Sequence, residues 1–267
     1  MKLYKQEVSK YTKKDAITAL CVWNVMCIIV FVFGTIMRTI YLGGTLQTVN
    51  LAQQFVFMLL CVVVVLLKKQ GLSSIGFRSD NIWYALRFGL VISIIPLLLY
   101  NGLLAGIINE WQLQPVRNIL YGLLITFLFA APEDVAFTGY IQPRLHGLVK
   151  IDVLAVFVGA LLFAFFHICF FVAVIGVSEF NLILSPVMAG WIGSHIMFNL
   201  IFRRYFSIYP VIMFHTFFNF AASNRLWLGA EHGIDETISF VILMSAVIIW
   251  ACFSHYRSKK MSKQKTT

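Results

Sequence analysis

Charged side chains are scarce in this sequence of 267 residues: they make up 12% of it, and only 11 residues are Asp or Glu. Hydrophobic residues make up 60% of the chain. An ordinary soluble domain carries about 25% charged residues, so this composition excludes that class. It predicts an integral membrane protein.

Sequence patterns for metal and redox chemistry are also missing. No HExxH motif is present, and no CxxC pair occurs. All five cysteines lie in apolar runs, so we expect neither disulfide bonds nor a thiolate metal site. They are Cys21, Cys27, Cys61, Cys169 and Cys252.

What the chain does have is a series of apolar runs along its whole length. Crossing a bilayer core takes about 20 helical residues, and eight runs approach or exceed that length. They cover residues 16–36, 51–67, 85–107, 117–137, 152–175, 181–202, 205–222 and 237–254. We predict an all-α polytopic membrane protein of about eight transmembrane helices, with residues 1–267 forming a single integral membrane domain.

The net charge of +10 is distributed on one side of this arrangement. Most of the 21 Lys and Arg residues lie in 2–14, 257–265 and the connections at 68–78, 144–150 and 203–204, whereas the opposite connections lean acidic. The positive-inside rule makes the basic side cytoplasmic, with both termini there. We expect the basic tails to lie near the anionic lipids of a bacterial cell membrane, and no motif indicates a nucleic-acid partner.

Ionisable residues inside the predicted spans are few. Each costs about 2.5 to 3.5 kcal/mol on insertion scales, so such residues are candidates for function. They are Glu133 and Asp134 in the fourth span, His167 in the fifth, His195 in the sixth and His215 in the seventh.

Two asparagines, Asn199 and Asn219, each follow a histidine by four residues, which places each pair on one helix face. A single His or Asn in a span is more often a hydrogen-bond partner between helices than a catalyst, and we interpret His195 and Asn199 in that way. The acids are harder to explain structurally, because no basic residue lies within several turns of them. We therefore interpret Glu133 and Asp134 as functional.

Three segments, in order, resemble the signature of the CPBP family of intramembrane proteases, also called the CAAX protease and bacteriocin-processing or Abi family. That signature reads EExxFRG, FxxxH and HxxxN. The corresponding segments here are EDVAFTG at 133–139, FAFFH at 163–167 and HTFFN at 215–219. The preceding SIYP assigns the last motif to His215 and not to His195. The resemblance covers about residues 117–222, which we take as the core motif region.

The resemblance implies an endopeptidase that hydrolyses a peptide bond of a membrane-associated peptide or protein in the lipid bilayer. In this family the first Glu activates a water molecule with help from the second-motif His, and the third-motif His and Asn stabilise the oxyanion. Carried over, Glu133 is the general base and His167 its partner. His215 and Asn219 are the oxyanion donors, and we expect no metal or other cofactor.

The first motif departs from the family at two positions: Asp134 replaces the second Glu, and Thr138 replaces the Arg. Losing the Arg removes a bidentate donor that would hold an acid in place. Either the Glu133–Asp134 pair shares a proton and Glu133 still activates water, or the site has lost catalysis and keeps a binding role. We favour hydrolysis, with Asp134 and Thr138 as supporting residues.

Other functions stay open. A catalytically impaired family member would act as a bacteriocin self-immunity protein or a membrane scaffold. A transporter would use the acids and histidines as a proton relay, but no Gly/Pro-broken spans lie at matching positions in two halves of the chain. A zinc protease would use His and Glu as ligands, which makes zinc the alternative cofactor.

Overall fold

The computed structural model describes residues 2–40, 45–80, 82–107, 114–175 and 186–222, and these residues form helices with no β-strand. The predicted all-α fold is confirmed. Seven of the eight apolar runs coincide with helices over their described parts, apart from residues 206–208 of the run 205–222, which form the turn before its helix. The eighth, 237–254, lies outside the described residues.

Nine helices are labelled in chain order over the described residues. They are α1 (Lys2–Val8), α2 (Lys13–Ile40), α3 (Thr45–Leu67), α4 (Ile82–Ile107), α5 (Val116–Asp134), α6 (Gln142–Leu145), α7 (Asp152–Ile175), α8 (Pro186–Tyr205) and α9 (Tyr209–Ala222). A π-helical segment, Val135–Ile141, joins α5 to α6 without a break, and a 3₁₀ turn, Leu72–Ile75, lies between α3 and α4.

Three stretches of the described chain are long and apolar enough to cross a membrane: Lys13–Ile36, Val116–Leu145 and Asp152–Phe170. Two shorter apolar helices are Leu51–Leu67 and Ile82–Leu98. The protein is therefore a helical integral membrane protein. The number of spans and the side of the termini stay predictions.

Local sequence explains two helix features. Thr12 and Asp15 form a capping box at the start of α2: the Thr12 N–H donates to Asp15 Oδ2 at 2.9 Å, and the Asp15 N–H donates to Thr12 Oγ1 at 3.4 Å. Pro132 lies in the last turn of α5 and has no N–H to donate. The backbone then widens into the π-helical segment, a feature that occurs frequently at functional sites.

The bundle packs around an aromatic core. Helix α9 lies against α4 and α5, α2 packs on α7, and α7 packs on α8. Phe137, Phe163 and Phe198 are buried between them. Large apolar side chains also point outward, such as Leu67, which is 77% exposed. Exposed apolar surface of this kind marks a membrane-facing surface.

The described part of the polar loop, residues 68–80, folds back onto the bundle. The Ile208 N–H, in the turn between α8 and α9, donates to the Gly76 carbonyl at 3.0 Å. Arg144 is fully buried and donates from Nη2 to Gln70 Oε1 at 2.6 Å. The loop therefore covers the turn through which the chain enters α9.

Candidate active site

The two adjacent acids end helix α5 and are both buried, with Glu133 8% and Asp134 1% exposed. Neighbouring helical residues point about 100° apart, so the two carboxyls face different helices. Glu133 faces α7, and Asp134 faces α9. Each acid meets a histidine there.

The first acid–histidine pair is Glu133 with His167. The distance from Glu133 Oε1 to His167 Nε2 is 3.7 Å. The other ring nitrogen, Nδ1, lies 3.0 Å from the Phe163 carbonyl oxygen, which only accepts hydrogen bonds, so Nδ1 carries the hydrogen. Nε2 therefore faces Glu133. A gap of this size is too long for a direct hydrogen bond and lets both groups contact one water molecule.

The second pair is Asp134 with His215. Asp134 Oδ1 lies 3.2 Å from His215 Nδ1, and the His215 ring packs on Phe198 with centroids 4.4 Å apart. A carboxylate that accepts from Nδ1–H leaves Nε2 of the imidazole for another partner. The second oxygen of Asp134, Oδ2, is buried and has no hydrogen-bond partner among the described residues.

The two remaining residues singled out in the sequence lie nearby, but no hydrogen bond joins them to these pairs among the described residues. Asn219 is half-buried one turn beyond His215 in α9 and shares its helix face. Thr138 is fully buried in the π-helical segment, and its Oγ1 has no hydrogen-bond partner among the described residues. The structure thus brings four of the six residues into two pairs, and the assigned catalytic roles stay predictions.

Two aromatic rings, one of them outside the motifs, pack against His167 of the first pair. The Trp191 ring of α8, which the motifs do not include, stacks on His167 with centroids 4.9 Å apart, and the ring of Phe163, from the second motif, packs on it at 4.6 Å. The four-residue spacing between Trp191 and His195 in the sequence indicates that both lie on one face of α8.

His195 makes the contact between helices that its sequence context predicts. Its Nε2 lies 3.3 Å from Gln142 Oε1 of α6 and 3.1 Å from Asn199 Nδ2 of α8. The ring also stacks on Phe163, at 4.9 Å between centroids and 22° between planes. His195 is therefore one aromatic ring away from His167, a proximity that sequence spacing alone did not show.

Across the described ranges, no group of three or more His, Cys, Asp or Glu side chains is arranged to hold a metal ion. The acids instead pair one to one with histidines from two helices. Such an arrangement places two carboxyl–imidazole pairs about 100° apart around the end of α5.

Comparison with known proteins identifies the region that contains these pairs. Residues 115–221 match the family model described as type II CAAX prenyl endopeptidase Rce1-like. No curated protein matches the chain. The matched region nearly coincides with the core motif region, 117–222, and the resemblance drawn from the three motifs is confirmed.

Proposed function

We propose, from the premise that residues 115–221 form an Rce1-like CAAX prenyl endopeptidase region, that the protein hydrolyses a peptide bond of a membrane-associated peptide or protein. The family match supports intramembrane endopeptidase activity, and the helices support an integral membrane protein. We further propose a multi-pass protein of a bacterial cell membrane. The observation that carries the proposal is the buried contact of Glu133 with His167.

In the proposed reaction, Glu133 takes a proton from a water molecule as the water oxygen attacks the scissile carbonyl carbon. His167 accepts the other hydrogen of that water at Nε2 and keeps it aligned. Negative charge develops on the carbonyl oxygen, and His215 and Asn219 donate hydrogen bonds to it. The carbon–nitrogen bond then breaks, and the proton held by Glu133 moves to the leaving amine.

The second acid has a different role in this proposal. Asp134 accepts a hydrogen bond from His215 Nδ1–H, so Nε2 donates to the oxyanion when the ring is the doubly protonated imidazolium, whose charge the Asp134 carboxylate balances. An orienting carboxylate behind a histidine is a common arrangement in hydrolases, where it fixes the tautomer and the ring direction. This gives the two neighbouring acids separate tasks.

The test is a cleavage assay on the purified protein in lipid vesicles. The first probe is a peptide that ends in a prenylated cysteine and three further residues, and the second is the same peptide without the prenyl group. Glu133→Gln is expected to lower the cleavage rate by roughly 100-fold or more, since general base catalysis contributes about 10²- to 10⁴-fold. Glu7→Gln, which changes an acid paired with Lys10 outside the site, serves as the matched control. Wild-type cleavage by Glu133→Gln excludes Glu133 as the base.

The absence of a cofactor is also part of the proposal, with zinc as the alternative. Incubation with a strong chelator is expected to leave the cleavage rate unchanged. Loss of activity with chelator and its return with added Zn²⁺ assigns the water activation to a metal instead.

A second candidate function is binding without catalysis, as in a bacteriocin self-immunity protein or a membrane scaffold. Thr138 favours it, because this side chain supplies no cation to the neighbouring acids where the family has Arg. Binding of a probe peptide by the wild-type protein, with no cleavage product after prolonged incubation, supports this second function.

A further inference from the structure

Four aromatic rings form a column beside the first acid–histidine pair. Trp191 stacks on His167 at 4.9 Å and 26°, His167 packs on Phe163 at 4.6 Å, and Phe163 stacks on His195 at 4.9 Å and 22°. The two outer rings belong to α8 and the two inner rings to α7. His167 therefore contacts one ring of α8, Trp191, directly and the other, His195, through Phe163.

One of the two outer rings of this column, His195, is held in place by a hydrogen bond at a ring nitrogen. Its Nε2–H donates to Gln142 Oε1 at 3.3 Å, and Asn199 Nδ2, which lies 3.1 Å from the same nitrogen, donates to the His195 backbone carbonyl at 3.3 Å. The amide orientation of Gln142 is fixed in turn, because its Nε2 donates to the Ala155 carbonyl at 3.1 Å. The rotation of a ring about its last side-chain bond is otherwise broad, so these contacts select the plane that stacks on Phe163.

A glycine on α7 makes room for this contact. A Cβ atom at Gly159 would lie 1.7 Å from Gln142 Oε1 and 3.4 Å from His195 Nε2. Gly159, Phe163 and His167 follow one another at four-residue spacing on one face of α7. On this face, Gly159 leaves space for the Gln142 amide, Phe163 contacts the His195 ring, and His167 faces Glu133.

Phe163 links the two histidines in two ways. Its ring lies between theirs, and its carbonyl oxygen is the acceptor for His167 Nδ1 at 3.0 Å. A displacement of Phe163 therefore changes both the packing and the hydrogen bond that set the direction of His167. An apolar ring at position 195 would have filled the space without burying polar groups, whose burial is costly unless they are hydrogen-bonded.

We propose that His195, held by Gln142, is a positioning residue that acts through Phe163 to keep the His167 imidazole directed at Glu133. The kinetic consequence rests on the proposed function, whereas the positioning itself does not. In the described structure the hydrogen-bond contacts of His195 are with Gln142 and Asn199 and not with either acid.

The kinetic test compares His195→Ala and Gly159→Ala with wild type on the prenylated probe. His195→Ala removes the ring, and Gly159→Ala displaces the Gln142 amide without changing either histidine. Both are expected to lower kcat about 10- to 100-fold with KM changed less than about twofold, since a small misplacement of a reacting group costs up to about 100-fold. His146→Phe, which replaces a buried histidine away from the site, is the matched control and keeps the wild-type kcat.

A double-mutant cycle separates positioning from general loss of packing. If His195 acts through His167, adding His195→Ala to His167→Ala causes no further fall in kcat, whereas two independent effects multiply. Wild-type kcat in His195→Ala, or full multiplication in the double variant, overturns the proposal.

A second measurement needs no substrate. In protein labelled with ¹⁵N-histidine, the ring nitrogen signals of His167, assigned by their loss in His167→Gln, are expected to move in His195→Ala and Gly159→Ala. They are expected to stay in place in His146→Phe. Unmoved His167 signals overturn the proposal. If the wild-type protein cleaves neither probe, the proposed function fails while these signals still decide the positioning.

Discussion

At the residue scale, the two adjacent acids differ in their partners more than in their burial. The replacement of Arg by Thr138 suggested two carboxyls with no cation nearby. The structure instead gives each acid a histidine from a different helix, with Glu133 beside His167 and Asp134 beside His215. The two acids of the first motif therefore belong to two separate acid–histidine pairs, which meet at one turn of helix.

The role of the second acid is testable by Asp134→Asn. We expect kcat to fall roughly 10- to 100-fold, because a hydrogen bond to a charged group contributes about 1.5 to 3 kcal/mol. KM should change little, since Asp134 contacts His215 and not the substrate. Steady-state cleavage of the prenylated probe measures both constants. Asp80→Asn, an acid paired with Arg78 in the loop at 68–81, is the control, and equal kcat values in the two variants would show that Asp134 does not orient a reacting group.

At the element scale, the entry into α9 explains how its histidine reaches the acids. Counting about 1.5 Å per residue from the basic flanks puts Glu133, His167 and His215 at different depths. The turn before α9 is itself buried, however, with Ile208 0% exposed beneath residues 68–80. Helix α9 thus begins inside the protein, and a count that starts at a membrane surface underestimates the depth of His215.

The π-helical segment could not be predicted from the sequence either. The apolar run 117–137 predicts one regular helix, and Pro132 was the visible sign of an irregularity. The segment is packed against the 3₁₀ turn: a Cβ at Gly139 would lie 2.7 Å from the Ile75 carbonyl oxygen. Such a close approach depends on residues more than sixty positions apart in the chain, which local patterns do not encode.

The docking of α1 depends on a buried histidine outside the spans. The Tyr4 hydroxyl lies 3.2 Å from His146 Nε2, and the Tyr4 ring lies 4.7 Å from the Arg203 guanidinium carbon. Burial lowers the pKa of His146 below its usual value of 6.5, Asp152 opposes this shift, and Arg203 and Lys150 add to it. The folded protein therefore favours the neutral imidazole.

This arrangement predicts a pH dependence of stability. Because the pKa of His146 is lower in the folded than in the unfolded state, its contribution to stability is complete above about pH 6.5 and is lost as the pH falls through the folded-state pKa. Thermal unfolding in detergent is expected to show a larger fall in Tm from pH 7.5 to pH 5.5 for wild type than for His146→Gln. Equal falls in the two proteins would assign the pH dependence to other groups.

At the scale of the whole molecule, hydropathy predicted the helices well and their contacts poorly. The run 152–175 matches α7, Asp152–Ile175, at both ends, because a chain in lipid must satisfy its backbone hydrogen bonds within a helix. The three motifs also located the acids and histidines. Side-chain packing decides which helix faces meet. The contacts of Trp191 with His167 and of Gln142 with His195 were therefore found only in the structure.

The eight-span topology is open to a direct test. In a variant whose five cysteines are replaced by alanine, a single cysteine is placed at Ser79 or at Arg117. The positive-inside rule predicts that a membrane-impermeant thiol reagent labels Arg117→Cys in intact cells and labels Ser79→Cys only after the membrane is opened. The reverse pattern would invert the orientation of the protein.

The central claim, that Glu133 activates water for peptide hydrolysis, is tested most directly by a single turnover in H₂¹⁸O with excess enzyme. If water attacks the scissile carbonyl, the new carboxylate of the released product carries one ¹⁸O atom, and the peptide that contains Glu133 keeps its mass. ¹⁸O in Glu133 with none in the product would contradict the account, because it shows that the Glu133 carboxylate itself attacked the peptide bond.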